Sequence, residues 1–187
     1  MSYYRTTHLE NLPEIQKEVL SKIPDNELEK SSLFYLKDHY ELFLNGTLLG
    51  SSLAKINILE YVSGVALIVV TPKSGIPIHC DSGPYRHSLN IPIQNYEKTY
   101  VSFYEPLEEP KMVRIDKPND SHEHGHVYLN YDIDKCKLLN RFESTSPYIM
   151  DTQVPHNVYN NSDVTRIMLL VRLKHTINEH IHLFGRP

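Results

Sequence analysis

The sequence predicts a mainly β chain: a sandwich or barrel of the jelly-roll kind with helices packed outside it. Three observations carry this. From Tyr61 onward about ten short apolar or β-branched segments alternate with turn residues. The first sixty residues instead place apolar side chains at helical spacing. The chain has 187 residues, 40% hydrophobic and 22% charged, which suits one domain over 1–187 with a core of its own. Within it, 1–60 is expected to be a helical part packed on a β core of 61–175.

Asn11 is a candidate helix cap, with Pro13 in the first turn and Glu14 near the positive end. Ile15, Val19, Leu20 and Ile23 follow on one stripe, and Pro24 stops the run. Leu28 to Leu44 is mixed, open to helix or strand. Thr47 to Ile58 reads as a second helix, with Leu49, Leu53 and Ile56 on one side and Gly50 weakening it. The strands expected are Val65–Thr71, Ile76–Asp81, His87–Ile93, Thr99–Tyr104, Met112–Ile115, His126–Tyr131, Cys136–Glu143, Tyr148–Met150, Pro155–Tyr159 and Val164–Lys174. The tail from His175 reads as a loosely held end.

Composition narrows the function classes. A net charge of −4 and a pI near 6.2 disfavour a non-specific grip on nucleic acid or an anionic membrane. Two cysteines, Cys80 and Cys136, are too few for a disulfide framework or a four-thiolate zinc site, and fit a reducing compartment. The polar start lacks a signal-peptide core, and Val65–Val70 is too short to span a bilayer. The expected location is cytoplasmic.

Eleven histidines with no tryptophan direct attention to metal chemistry. His79 and Asp81 stand two apart in a strand, so alternation sends both to one face and Cys80 to the other. His156, opening a later strand, is a third candidate ligand. Two histidines and one carboxylate on one face of an octahedral ion leave three positions open, an arrangement suited to non-haem Fe(II). Ten residues after His156, Arg166 lies inside an apolar strand, where a cation needs an anion partner. Its planar fork matches a carboxylate. Arg172, six residues on, shares its face and is a rival for the role, but it lies towards the strand's far end, which favours Arg166.

His79-Cys80-Asp81, His156 and Arg166, in that order and spacing, resemble the Fe(II)/2-oxoglutarate-dependent dioxygenases. Arg86-His87-Ser88-Leu89 before Ile91-Pro92 is similar to the aspartyl/asparaginyl β-hydroxylase-like branch. That branch tends to carry Gly where Asp81 stands and His where Ser88 stands. The resemblance implies a double-stranded β-helix over roughly residues 61 to 175. It implies iron held by His79, Asp81 and His156, and 2-oxoglutarate held by Arg166 with help from Arg86. The implied reaction uses dioxygen to hydroxylate an unactivated C–H bond of a peptidyl or small-molecule substrate, with decarboxylation of 2-oxoglutarate to succinate.

Blander readings stand beside these. His79 and Asp81 suit a surface pair by a turn, and His156 a satisfied core histidine. Asp163 and Glu60 are structural carboxylates available to Arg166. Arg86, Ser88 and Asn90 share one face and His87, Leu89, Ile91 and Ile93 the other, but alternation does not say which face is interior. His122-Glu123-His124-Gly125-His126 reads as a solvated loop able to bind metal adventitiously. Asp116–Gly125 and Tyr3–Leu9 are candidate lids. Two other classes fit the same pattern: a cupin-like metal-dependent isomerase or lyase with a structural Arg166, and a non-enzymatic jelly-roll module. Substrate identity and oligomeric state are not written in the sequence.

Overall fold

The computed structural model describes residues 3–23, 32–35, 39–81, 86–115 and 126–174. The His122–His124 part of the histidine run, the Asp116–Gly125 loop and the tail from His175 lie outside them. Among the described residues twelve strands form two antiparallel sheets. They are β1 (Tyr4–Thr6), β2 (Ser32–Tyr35), β3 (Val62–Val70), β4 (Ser74–Asp81), β5 (His87–Gln94), β6 (Thr99–Pro106), β7 (Lys111–Ile115), β8 (His126–Asn130), β9 (Cys136–Glu143), β10 (Tyr148–Asp151), β11 (His156–Asn160) and β12 (Arg166–Leu173). One sheet runs β1-β10-β5-β12-β3-β2 and the other β7-β8-β4-β11-β6-β9. All ten strands expected from Tyr61 onward are present. The order is interleaved, with β3 to β6 and again β9 to β12 alternating between the two sheets, as in a jelly roll.

Three α-helices of the described residues cover the outer face of the first sheet: α1 (Leu12–Leu20), α2 (His39–Leu44) and α3 (Leu48–Lys55). Ile15, Val19, Leu49 and Leu53 pack there with Val65, Leu67, Val69, Leu89, Ile91, Ile93, Leu169 and Val171. The alternate residues Ala66, Ile68, Val70, Met168 and Leu170 point inward, against Val101, Phe103 and Val158 of the second sheet. Both faces of β3 and β12 are therefore buried, which is why their sequences are continuous apolar runs rather than alternating ones.

The N-terminal part departs from expectation in detail. Asn11 adopts the left-handed conformation (φ 58°) and makes no side-chain cap; it contributes its carbonyl to Ile15 N–H instead. The helix ends at Leu20, three residues before Ile23, in a turn. Thr47 does cap α3, its hydroxyl accepting from Gly50 N–H at 2.9 Å while donating to the Phe43 carbonyl at 2.7 Å. These two hydrogen bonds fold α3 back onto α2 so closely that a Cβ on Gly50 would lie 1.9 Å from the Leu44 carbonyl oxygen. Gly50→Ala is expected to cost about 3 kcal/mol by overpacking, despite the better helix propensity of alanine. Urea denaturation of the two proteins checks the sign, which propensity alone would reverse.

Tyr3–Leu9, a candidate lid in the sequence, is partly sheet. Tyr4–Thr6 pairs with β10, and the Tyr4 ring stacks on Phe142 with centroids 3.7 Å apart. Tyr3 sits over Phe103 at 5.4 Å. These aromatics bridge the edge of one sheet to the other. The tyrosines here pack their rings against the inner core.

Candidate metal centre

A proline in a central strand shapes the site. Proline cannot donate to a ladder, so in an inner strand it belongs at an irregularity. Between β4 and β11 the register shifts: His156 faces His79 but Val158 faces Ile76, leaving an extra residue on β4 at Pro77-Ile78. The bulge lets Ile76 and His79 both face the interior, although strict alternation would put them on opposite sides. His156 and Val158 share the inward face of β11.

His79, Asp81 and His156 each offer a ligand atom, and the three atoms lie within 4.8 Å of one another. The imidazole rings are 4.4 Å apart, and His79 Nε2 is 3.5 Å from Asp81 Oδ1. Each ring is oriented by the backbone. His79 Nδ1 lies 2.8 Å from the Pro77 carbonyl and His156 Nδ1 2.9 Å from the Val154 carbonyl. A carbonyl only accepts, so both Nδ1 atoms carry the proton and both Nε2 atoms present a lone pair. This is the outer support that metal-ligating histidines need. Metal–nitrogen bonds are near 2 Å, so the three donor atoms must draw closer together to share one ion.

His156 is 5% exposed, whereas the side chains of His79 and Asp81 retain 12% and 21%. One wall of the site is dry and the other open to a second molecule. Burial, and then the nearby His79, push the His156 imidazole down to about 4. In the metal-free protein the unfolded chain therefore takes a proton near pH 6.5 while the native one refuses it. The associated stability is complete above about pH 6.5 and falls towards pH 4, by up to about 3 kcal/mol. Chemical denaturation at pH 7 and 4.5 checks this, against a His156→Asn variant in which that part of the decline is expected to vanish.

Arg166, at the start of β12, is fully buried, 0% exposed. Its Nη2 approaches Ser144 Oγ at 3.5 Å, and the Tyr148 hydroxyl stands beside it. Its Nε and Nη1 have no hydrogen-bond partner among the described residues. Neither structural carboxylate considered for it is engaged with it: Asp163 pairs with Lys73 at 3.2 Å, and Glu60 offers a backbone carbonyl to Lys174. A buried guanidinium with two idle donors is costly unless an anion completes it. Arg166 shares the inward face of β12 with Met168 and Leu170, at the end of the strand away from the triad.

Arg86 is placed differently. Its side chain is 48% exposed and its Nε and Nη2 bond Asp151 Oδ2 at 3.0 and 2.9 Å. Its backbone carbonyl accepts from Thr152, whose own carbonyl accepts from Asp81 N–H. Arg86 therefore joins the rim that holds Asp81 in place. The Ser88–Asn90 face, undecided by alternation, points inward, because Leu89, Ile91 and Ile93 pack beneath the helices. Ser88 and Asn90 are buried, with Asn90 Nδ2 donating to Ser88 Oγ at 2.9 Å. Cys80 turns away from the triad, its thiol on the Gln153 carbonyl and near Tyr131, and burial pushes it up. Sequence reasoning missed Asp151 and Thr152, which no spacing rule links to Arg86 or Asp81.

No family model matches this sequence, and no curated protein matches it. Solved structures do. EvdO2 from Micromonospora carbonacea var. aurantiaca, crystallised with 2-oxoglutarate, matches at a TM-score of 0.51 and 12% identity over 92% of this chain and 86% of that one. AviO1 from Streptomyces viridochromogenes Tue57 matches at 0.46 and 10% over 91% and 87%. A mutant form of Bacillus subtilis oxalate decarboxylase matches at 0.34 and 12%, over 68% of this chain but only 23% of that chain. The present chain thus spans about a quarter of that enzyme. The class the fold defines is the double-stranded β-helix of the cupin type. Among the described residues no helix is long and apolar enough to cross a membrane.

Proposed function

We propose that the protein is an Fe(II)- and 2-oxoglutarate-dependent oxygenase that oxidises a C–H bond of a small-molecule or peptidyl substrate with dioxygen. The observation that carries this is Arg166: a fully enclosed cation with two idle N–H donors inside the barrel that also holds the two-histidine, one-carboxylate group. A metal-dependent cupin without a second anion would leave those donors unmet and Arg166 with a structural role alone. That EvdO2, a protein of the same fold, was crystallised with 2-oxoglutarate fits the reading.

In this reading His79 and His156 ligate through Nε2, and Asp81 supplies the charge that favours a divalent ion. These three residues would hold the ion and leave room at it for a chelating cosubstrate and dioxygen. Bound iron with 2-oxoglutarate supplies the oxidising power, and the cosubstrate leaves as succinate and carbon dioxide. Arg166 receives the distal carboxylate in its fork and so fixes the direction from which the cosubstrate meets the metal. Ser144 and Tyr148 hold the guanidinium. Phe103, with its ring centroid 6.3 Å from that of His156, and the bridging aromatics exclude water from the buried side. Arg86, paired with Asp151, steadies the rim beside Asp81.

The test is anaerobic addition of Fe(II) with and without 2-oxoglutarate, read by visible absorption. A weak charge-transfer band is expected only with both. Iron bound without a band sinks the oxygenase reading in favour of a metal-dependent isomerase or lyase, and absent iron binding leaves a non-catalytic jelly roll.

A further inference from the structure

The inward face of the first sheet is apolar over most of its area, with Ala66, Ile68, Val70, Met168, Leu170 and Tyr148. The exception is a polar patch at the end where the triad lies. Arg172 follows Leu170 on the inward face of β12, and its cross-strand neighbours are Ser88 on one side and Gly64 on the other. Asn90 is the next inward residue of β5. The triad is at this same end: β4 closes on Asp81 just before β5 begins, and β10 ends on Asp151 just before β11 opens with His156. Arg166, six residues before Arg172, marks the far end.

Each feature of the patch suits a ligand. Burial depresses the Arg172 guanidinium to about 10, so it sits in a poorly solvated place where an anion is attractive. The Asn90–Ser88 bond uses the amide N–H and leaves the Asn90 carbonyl as acceptor and the Ser88 hydroxyl hydrogen as donor. Gly64, between outward Val65 and the helix-side Val62, leaves open space: a Cβ there would meet nothing within 4 Å. A wall that is close-packed elsewhere thus has room beside the Arg172 cation.

We propose that Arg172, Ser88, Asn90 and the space at Gly64 form a second oxyanion subsite, and that the substrate carries a carboxylate held there. The assignment of that carboxylate to the substrate rests on the oxygenase reading; the subsite itself does not. Two arginines on one inward strand face, at its two ends, then serve two different carboxylates. Arg166 takes the cosubstrate and Arg172, at the end of the strand where the triad lies, the molecule to be oxidised. Specificity follows from length, because the reactive carbon must reach the metal while its carboxylate stays on Arg172.

Acetate is the probe, with acetamide as its uncharged counterpart at matched ionic strength, and the readout is the thermal midpoint of the metal-free protein. Ligands that bind only the native state raise it. Acetate is expected to raise the midpoint of the wild type, and to a smaller extent those of Arg166→Met and Arg172→Gln. In the double variant, and in Gly64→Leu combined with Arg166→Met, the effect is expected to disappear, corresponding to at least a tenfold loss of acetate affinity. Acetamide is expected to do nothing. The inference is overturned if Arg166→Met alone abolishes the acetate effect, if Arg172→Gln leaves it whole, or if the double variant retains it. Circular dichroism of each variant separates lost binding from lost folding, and Gly64→Leu tests the subsite without touching a charge. Failure of the iron–2-oxoglutarate band with acetate binding intact at Arg172 would sink the oxygenase reading and spare the subsite.

Discussion

Replacing Arg166 by methionine is expected to lower 2-oxoglutarate affinity by more than a hundredfold, to leave Fe(II) binding in place, and to make the metal-free protein more stable. The three effects share one cause. Arg166 is enclosed, its Nε and Nη1 are idle, and Ser144 Oγ lies at the limit of hydrogen-bond distance. The folded protein therefore carries the desolvation cost of a cation without an anion to offset it. Methionine keeps the length and apolar contacts of the side chain and removes that cost, and such exchanges stabilise by about 1–4 kcal/mol where a buried charge is replaced by a well-packed apolar residue. In the oxygenase reading the same exchange removes the charge-assisted partner of the distal carboxylate, which accounts for the expected binding defect. Urea denaturation without metal and titration of the charge-transfer band with 2-oxoglutarate measure the two sides. A destabilised variant that still binds 2-oxoglutarate normally would show that Arg166 is a structural residue.

Asp81→Ala and His79→Ala are each expected to weaken Fe(II) binding by more than about a hundredfold, the upper end of what outer supporting residues contribute. His79 Nε2 and Asp81 Oδ1 are 3.5 Å apart and partly exposed, so either can be truncated without opening a hole in the core. The folded state should survive, with circular dichroism unchanged and metal binding gone. Cys80→Ala is the internal control. Its thiol lies on the opposite side of the same strand, on the Gln153 carbonyl, and metal binding should stay within a fewfold of wild type. Equal losses in all three variants would mean that the strand end, rather than the two side chains, is what the metal requires.

Much of the site was legible because its signals are local. A His-x-Asp pair in a strand shares a face by geometry alone, and so does the Arg166–Arg172 pair; the structure keeps both relations. Arg166 stood out because a cation amid Ile167, Met168, Leu169 and Leu170 violates the pattern around it. What period two cannot state is which face is inside. For Arg86 to Ile93 the ambiguity was complete. Helices bury the outer face of that sheet as deeply as the second sheet buries the inner, so hydrophobicity pointed outward as readily as inward. Local patterning likewise could not give Arg86 its partner, since Asp151 comes from a strand 65 residues away.

The sequence by itself determined the β-rich core, its ten main strands, and a two-histidine, one-carboxylate set with a buried arginine in register. Those properties live in side-chain type and short-range spacing, which the backbone periods convert directly into faces. Tertiary structure alone decided the rest. The short edge strands Tyr4–Thr6 and Ser32–Tyr35 form because neighbouring strands offer free edges, their own patterns being too brief to specify a strand. The bulge at Pro77 sets His79 opposite His156, a register that depends on both strands at once. The inward turn of Ser88, Asn90 and Arg172 depends on which sheet face the helices cover, a choice made by packing between segments far apart in the chain.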